Sequence, residues 1–389
     1  MKKLIFLFVC VAWFGCNKND YEIENQTKSK VDATGNSVTL GQPTWITGYP
    51  NVAYGAVSVD LNLKTDVASK IYWIVSTKAL TLTTVELKAQ ALSPTDAAIK
   101  FHGTTTLTAN TPKLQTVKGL AQHTRYYTYV VAETTSVGAI LQALPTSLSN
   151  FITYYRQDTG FYQSAAESRK VLYLIYRPEE VLKYKKKYPI LFFLGGNGEV
   201  ATATKPINYY NYNRTLPEYI KNGNDVPMIV LTIQHTIKNW NVALIDEAVV
   251  HGLATYPVDT KKVYMSGCSG GGFGVWNYAV AHPDKLAAIV PISGGGSSSK
   301  ACNLKNVAIW AFHNAIDGIV APSNSQNMIN AVNSCSPAKE VKLTYFKDAD
   351  GKPHHDCWRR VFNQNDKDWS KTPDMPRIDI YAWLLKKSL

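Results

Sequence analysis

The sequence predicts an α/β chain in which a mainly parallel sheet, covered by helices on both faces, occupies residues 156–389 and follows a small all-β sandwich over residues 41–155. Three observations carry this. At 389 residues the chain exceeds one average domain, and its 45% apolar content can supply more than one core. From about residue 41, Thr, Val and Tyr alternate with period two, as at 56–63, 70–75 and 125–132, between Gly, Pro and Asn punctuation, which is the pattern of half-buried strands. After about residue 156 the pattern becomes short apolar, β-branched runs at 189–194, 228–233, 263–266, 287–292, 307–312 and 341–346, separated by helix-length amphipathic stretches. Runs of that kind are strands buried on both faces of a parallel sheet. The stretch 378–387 predicts a closing helix, and no internal repeat is present.

Before these bodies the chain opens on Met1-Lys2-Lys3, an apolar stretch over 4–14 and Gly15-Cys16, the layout of a secretory signal and too short to span a bilayer. A small residue followed by Cys resembles the lipobox of bacterial lipoproteins. That implies a signal over residues 1–16, lipidation at Cys16, a lipid anchor in a membrane and a place in the cell envelope; an ordinary cleaved signal is the alternative. Residues 17–40, rich in Asn, Lys, Glu, Thr and Ser, predict a flexible tether.

The net charge of +12 would suit nucleic acid or an anionic surface. Its one dense run, Lys185-Lys186-Lys187, lies in a short polar loop before an apolar strand, where a solvated role suffices, so no nucleic-acid partner is expected. Of six cysteines, Cys10 and Cys16 belong to the signal. Cys268, Cys302, Cys335 and Cys357 remain, and four cysteines in an exported chain allow three pairings. No Cys-x-x-Cys or His-x-x-x-His spacing is present, so neither a metal nor a cofactor is expected.

The chemistry is concentrated in Gly267-Cys268-Ser269-Gly270-Gly271, directly after one apolar run and directly before a helix-like stretch at 272–282. Gly-x-Ser-x-Gly makes a tight strand-to-helix turn that stands the Ser hydroxyl free at the edge of an α/β-hydrolase sheet. A hydroxyl is a weak nucleophile at neutral pH, so it needs a base, and the base needs an acid to hold its tautomer. In this fold the chain order is Ser, acid, His. Asp317 follows the run 307–312, and His354-His355-Asp356 follows the run 341–346, so both partners leave the same sheet edge as Ser269. Either His could be the base. A metal site at His354, His355 and Asp356 is disfavoured, because adjacent residues do not easily converge on one ion.

Residues 189–389 resemble the α/β-hydrolase esterases that include polyhydroxybutyrate depolymerases, feruloyl and acetylxylan esterases and the "predicted peptidase" relatives. The resemblance rests on 267–272, on His313 to Ala321 for His-Gly-x-x-Asp-x-x-Val-Pro, on His354 to Trp358 for Gly-His-Asp-x-Trp, and on Trp383-Leu384-Leu385. It implies Ser269 as nucleophile, Asp317 as acid and His355 as base, with His354 in the place of the family's Gly. It also implies an oxyanion hole from the N–H groups of Gly270 and Asn197, the latter in 194–199 where relatives carry Leu-His-Gly-x-Gly-Glu. Gly195 replaces that His and removes the hydrogen bonding that rigidifies the loop in relatives. A Cys268–Cys357 bridge would resemble the disulfide beside the triad of tannase-like and glucuronoyl esterases, leaving Cys302 with Cys335; the alternative is that Cys268 is a small buried thiol. Tyr210 and Trp240, on loops near the sheet edge, suit stacking on a sugar or aromatic acyl group, with plain packing as the alternative, and Gln234 stands where relatives place a polar pocket residue.

The sandwich carries Leu120, Thr124 and Tyr126 in the spacing of the corner of fibronectin type III domains, and it has no polar cluster suggesting chemistry. The expected activity is hydrolysis of carboxylic esters, of plant polysaccharides or related polymers and polyesters. A serine peptidase of the same fold and a non-catalytic glycan-binding surface protein are the alternatives.

Overall fold

The structure is a computed structural model that describes residues 28–31, 37–201, 207, 214–347, 351–363 and 378–389. Period-two alternation builds its first body. Strands Asn51–Tyr54, Ser58–Leu63 and Lys113–Lys118 form one antiparallel sheet. Strands Ser69–Ser76, Ile99–Leu107, Arg125–Thr134, Thr146–Ser147 and Phe151–Ile152 form the other. Val59, Leu61 and Leu63 of the first sheet meet Ile71, Trp73, Val75 and Val130 of the second in a shared core. The Ala121 N–H donates to the Tyr126 hydroxyl at 3.0 Å and ties down the corner that begins Arg125–Thr134.

The two sheets form the expected β-sandwich, and two local features add to it. A helix, Thr84–Leu92, lies between Ser69–Ser76 and Ile99–Leu107. A Thr83–Glu86 capping box satisfies its first amides, and Leu87 and Ala91 pack on Tyr72, Ile74 and Val131. Within residues 17–40, the short stretches Lys28–Val31 and Ser37–Leu40 pair antiparallel.

The second body is an eight-stranded sheet: β1 (Gln157–Ser164), β2 (Arg169–Tyr176), β3 (Tyr188–Leu194), β4 (Ile229–Ile233), β5 (Val258–Cys268), β6 (Ala288–Ile292), β7 (Ala308–Asn314) and β8 (Val341–Phe346). Their spatial order is β1-β2-β4-β3-β5-β6-β7-β8, antiparallel across β1-β2 and β2-β4 and parallel thereafter, which is the α/β-hydrolase sheet. Strand β3 shows why an unbroken apolar run was needed: Ile190, Phe192 and Leu194 enter one core while Leu191 and Phe193 enter the other.

Helices α3 (Val242–Thr255), α4 (Gly270–Ala281) and α5 (Ser323–Asn333) cover the first face. Helices α2 (Leu216–Lys221), α6 (Trp358–Phe362) and α7 (Ile380–Leu385) cover the second. A further helix, α1 (Glu179–Tyr184), reaches the sandwich. Its Glu179 carboxylate accepts from Ala56 N–H at 2.9 Å, Val57 N–H at 3.1 Å and the Ser58 hydroxyl at 2.6 Å. Buried Asp60 of the sandwich pairs with Lys183 at 3.1 Å and accepts from the Tyr184 and Thr116 hydroxyls. Among the described residues no helix is long and apolar enough to cross a membrane.

Candidate active site

A parallel sheet delivers the ends of its strands to one edge, and this edge gathers the residues of interest. Strand β5 ends at Cys268, and Ser269 follows with φ 55° and ψ −120°, a left-handed backbone held by its surroundings before α4 begins at Gly270. The glycines around it are enforced by close approach. A Cβ on Gly271 would stand 2.0 Å from the Leu194 carbonyl oxygen, and one on Gly267 would stand 2.6 Å from the Gly271 oxygen. The Gly-x-Ser-x-Gly pattern is thus a packing requirement between β3 and the β5–α4 turn.

His355, on the loop after β8, meets Ser269 Oγ with Nε2 at 2.8 Å. Its Nδ1 lies 2.7 Å from Asp317 Oδ2, on the loop after β7. With a carboxylate as partner, Nδ1 must carry the proton and donate, which leaves Nε2 to accept from the Ser269 hydroxyl. The side chain of Asp317 is fully buried. Burial pushes its pKa up, but hydrogen bonds from His313 and His355 and from the N–H groups of Val320 (2.9 Å) and Ile319 (2.8 Å) outweigh this and hold it well below the usual carboxylate range. His355, not His354, is the histidine brought to Ser269. The backbone of His354 is used instead: its N–H donates to the Ile316 oxygen and its oxygen accepts from the Asn314 amide.

Asn197 and Gly270 are brought together, since a Cβ on Gly270 would lie 3.2 Å from Asn197 N, and both line a cleft of about 620 Å³ with Ser269 and His355. The loop that carries Asn197 is held although Gly195 offers no side chain. Trp240 Nε1–H donates to the Gly195 oxygen at 2.9 Å, and its ring stacks on His235 at 4.1 Å between centroids. Burial pushes the His235 imidazole down to about 4, so it packs as a neutral ring. Trp240 borders the cleft but is only 7% exposed, so the ring expected to stack on substrate is largely occupied as a prop. Gln234 is buried at the end of β4 and does not line the cleft, in contrast to its expected pocket role. Tyr210 lies outside the described residues.

Of the expected disulfides, Cys302–Cys335 is formed. Cys268 and Cys357 are not bridged: both are free and buried. The Cys357 sulfur lies 3.4 Å from the Ser293 hydroxyl, and burial pushes its thiol up to about 12 and that of Cys268 well above its ordinary value. The His loop is pinned by other means, since Ser293 Oγ–H also donates to the His355 carbonyl oxygen at 3.2 Å and Arg360 donates to Asn314 at 2.9 Å.

His313 enters the sequence pattern only as the first residue of His-x-x-x-Asp. It is fully buried, with Nδ1 2.7 Å from Ser325 Oγ and Nε2 2.9 Å from the Val320 oxygen and 3.3 Å from Asp317 Oδ2. Ser325 in turn donates to the Gly294 oxygen at 2.8 Å. The fixed His-x-x-x-Asp spacing was the available signal. Among the described residues no group of His, Cys, Asp and Glu is arranged to hold a metal ion.

No family model and no curated protein matches the chain. Solved structures do. A thermostable esterase has 18% identity and a TM-score of 0.48, covering 90% of this chain and 100% of its own. A ferulic acid esterase has 15% identity and a TM-score of 0.41 over 56% of this chain and 98% of its own. A putative dienelactone hydrolase from Klebsiella pneumoniae subsp. pneumoniae MGH 78578 has 14% identity and a TM-score of 0.40 over 59% and 99%. What Ser269 and its neighbours can do follows from their own geometry.

Proposed function

We propose that the chain is a serine hydrolase that cleaves carboxylic esters of plant polysaccharides or related polymers, acting from the cell envelope as an exported lipoprotein anchored through Cys16. The observation that carries the reading is the unbroken chain of contacts from Ser269 Oγ to His355 Nε2 at 2.8 Å and from His355 Nδ1 to Asp317 at 2.7 Å, beside the paired backbone of Asn197 and Gly270.

In this mechanism His355 takes the hydroxyl proton as Ser269 Oγ attacks the ester carbon, and the buried Asp317 carboxylate stabilises the imidazolium that forms. Negative charge gathers on the former carbonyl oxygen, where the N–H groups of Gly270 and Asn197 receive it. Collapse breaks the bond to the alcohol oxygen, which leaves with the proton from Nε2, and an acyl-Ser269 remains. Water, deprotonated by His355, then attacks the acyl carbon, and the acid departs as Ser269 regains its proton. Each group acts from a backbone already in place, so little reorganisation is needed when charge develops.

A fluorophosphonate probe tests this directly. Wild-type protein is expected to be labelled at Ser269 and to hydrolyse p-nitrophenyl acetate, while Ser269→Ala does neither and stays folded. Labelling that survives in Ser269→Ala overturns the assignment.

A further inference from the structure

The cleft at Ser269 does not end beside the nucleophile. A second groove of about 760 Å³ meets it at Asn277, the residue that lines both. One face of α4 forms the common floor: Gly270, Phe273 and Gly274 under the first part, Asn277 at the junction, Val280 and Ala281 under the second. These positions recur at three and four residues, so they lie on one stripe, which at 1.5 Å per residue runs roughly 16 Å away from Ser269. Asn239, Trp240, Ile319 and Val320 also line the first part, and Val242, Ser297, Lys300 and Asn303 also line the second.

Both parts mix polar and apolar walls, and the first carries the reacting groups. What the part beyond Asn277 adds is Lys300, the charged residue that lines it, beside Ser297 and Asn303. No acidic side chain lines either part, and among the described residues the Lys300 ammonium has no ion-pair partner. The exposed Asn277 amide likewise has no hydrogen bond among the described residues. The wall that presents Lys300 is braced. Cys302, in the 3-10 helix Ser298–Asn306, is bridged to Cys335 just beyond α5, and Asn303 Nδ2–H donates to the Val280 oxygen at 3.0 Å.

We infer that the groove beyond Asn277 is a distal subsite for the alcohol portion of the ester, a hydroxyl-rich chain bearing a carboxylate that Lys300 receives. The inference rests on the serine-esterase reading. A small ester fills only the part next to Ser269, whereas a chain long enough to pass Asn277 brings hydroxyls to its amide and a carboxylate to Lys300. The net charge of +12 draws such a polyanion toward the site.

The experiment compares an acetylated oligogalacturonide, an acetylated neutral xylo-oligosaccharide of equal length and p-nitrophenyl acetate, each with wild type, Lys300→Ala and Lys300→Glu. At low salt, wild type is expected to prefer the anionic oligomer in kcat/KM, with Lys300→Ala lowering that value about threefold and Lys300→Glu about tenfold. Turnover of p-nitrophenyl acetate and of the neutral oligomer stays unchanged. Raising the ionic strength to about 0.5 M brings wild type toward the variants, because screening then acts within a few ångströms. Hydrolysis of all three esters with an anionic-to-neutral ratio indifferent to Lys300→Glu overturns the subsite and leaves the esterase reading standing. Failure of wild type to turn over any of the three overturns the esterase reading and the subsite with it.

Discussion

Asp317 is ringed by donors from His355, Val320 and Ile319, with His313 at 3.3 Å behind the carboxylate, and that surrounding explains why a buried carboxylate stays ionised. His313 acts through Asp317 and is a positioning residue. His313→Gln is expected to lower kcat by about tenfold to a hundredfold with KM nearly unchanged, since a small misplacement of the acid propagates to the base. Equal losses in a pH-independent, folded variant with a raised KM would point instead to a purely structural role. Asp317→Asn removes the acceptor that selects the His355 tautomer and is expected to cost about 10,000-fold in kcat. The same carboxylate links stability to pH. Its folded pKa lies below the unfolded value, so its contribution is complete above about pH 4 and is lost as pH falls through the folded value. The gap in melting temperature between wild type and Asp317→Asn is therefore expected to hold from pH 7 to about pH 5 and to begin narrowing as pH falls from about 4 to 3.

At the scale of elements, the loop after β3 shows how a position without a side chain is held from a distant part of the chain. Gly195 has no side chain, and its carbonyl accepts from Trp240, itself packed on His235. Trp240→Phe keeps a ring and deletes the N–H. It is expected to lower kcat on p-nitrophenyl acetate about tenfold, the equivalent of one hydrogen bond of about 1.4 kcal/mol. An unchanged kcat would show that the loop holds itself. The cysteines divide in the same way between local cues and packing. Cys302–Cys335 closes a loop with a sequence separation of 33, which on chain-entropy grounds stabilises by about 3 to 4 kcal/mol. Cys268 and Cys357 sit in the second core as apolar fillers with their thiolates disfavoured. Iodoacetamide is expected to leave both unmodified in native protein and to alkylate both after unfolding without reductant; peptide mapping reads the outcome.

Across the whole molecule, the sandwich and the eight-stranded sheet meet through polar groups that are paired on both sides. Lys183 and Asp60 are each nearly buried at the junction, where removing one partner strands the other charge. Asp60→Asn and Glu179→Ala are expected to destabilise the junction by about 1 to 3 kcal/mol, visible as a lower melting temperature and earlier proteolysis near residue 156. The sandwich lines no part of the cleft. A chain of residues 156–389 is thus expected to hydrolyse p-nitrophenyl acetate with wild-type kcat while melting several degrees lower. Loss of kcat in a folded truncation would assign the sandwich a share in shaping the site.

The sequence by itself determined the elements whose signals are local. Apolar runs marked β3 through β8, and Gly267, Ser269 and Gly271 marked the turn at the end of β5, because backbone crowding at the two glycines leaves no room for a Cβ. Asp317 and the pair His354 and His355 followed from chain order. Only the tertiary structure decided what depends on distant chain segments meeting. It selected His355 over His354, set His313 behind Asp317, turned Trp240 toward Gly195 and left Gln234 outside the cleft. It kept Cys268 and Cys357 apart as thiols, although their sequence neighbours stand within hydrogen-bond reach. The helix Thr84–Leu92 shows the same division from the other side. Its capping box was present in Thr83 and Glu86, but the helix earns its place by burying Leu87 and Ala91 against a sheet face that strands far along the chain assemble. Periodicity and turn chemistry are written in neighbouring residues, whereas side-chain partners are chosen by packing among residues that sequence separates.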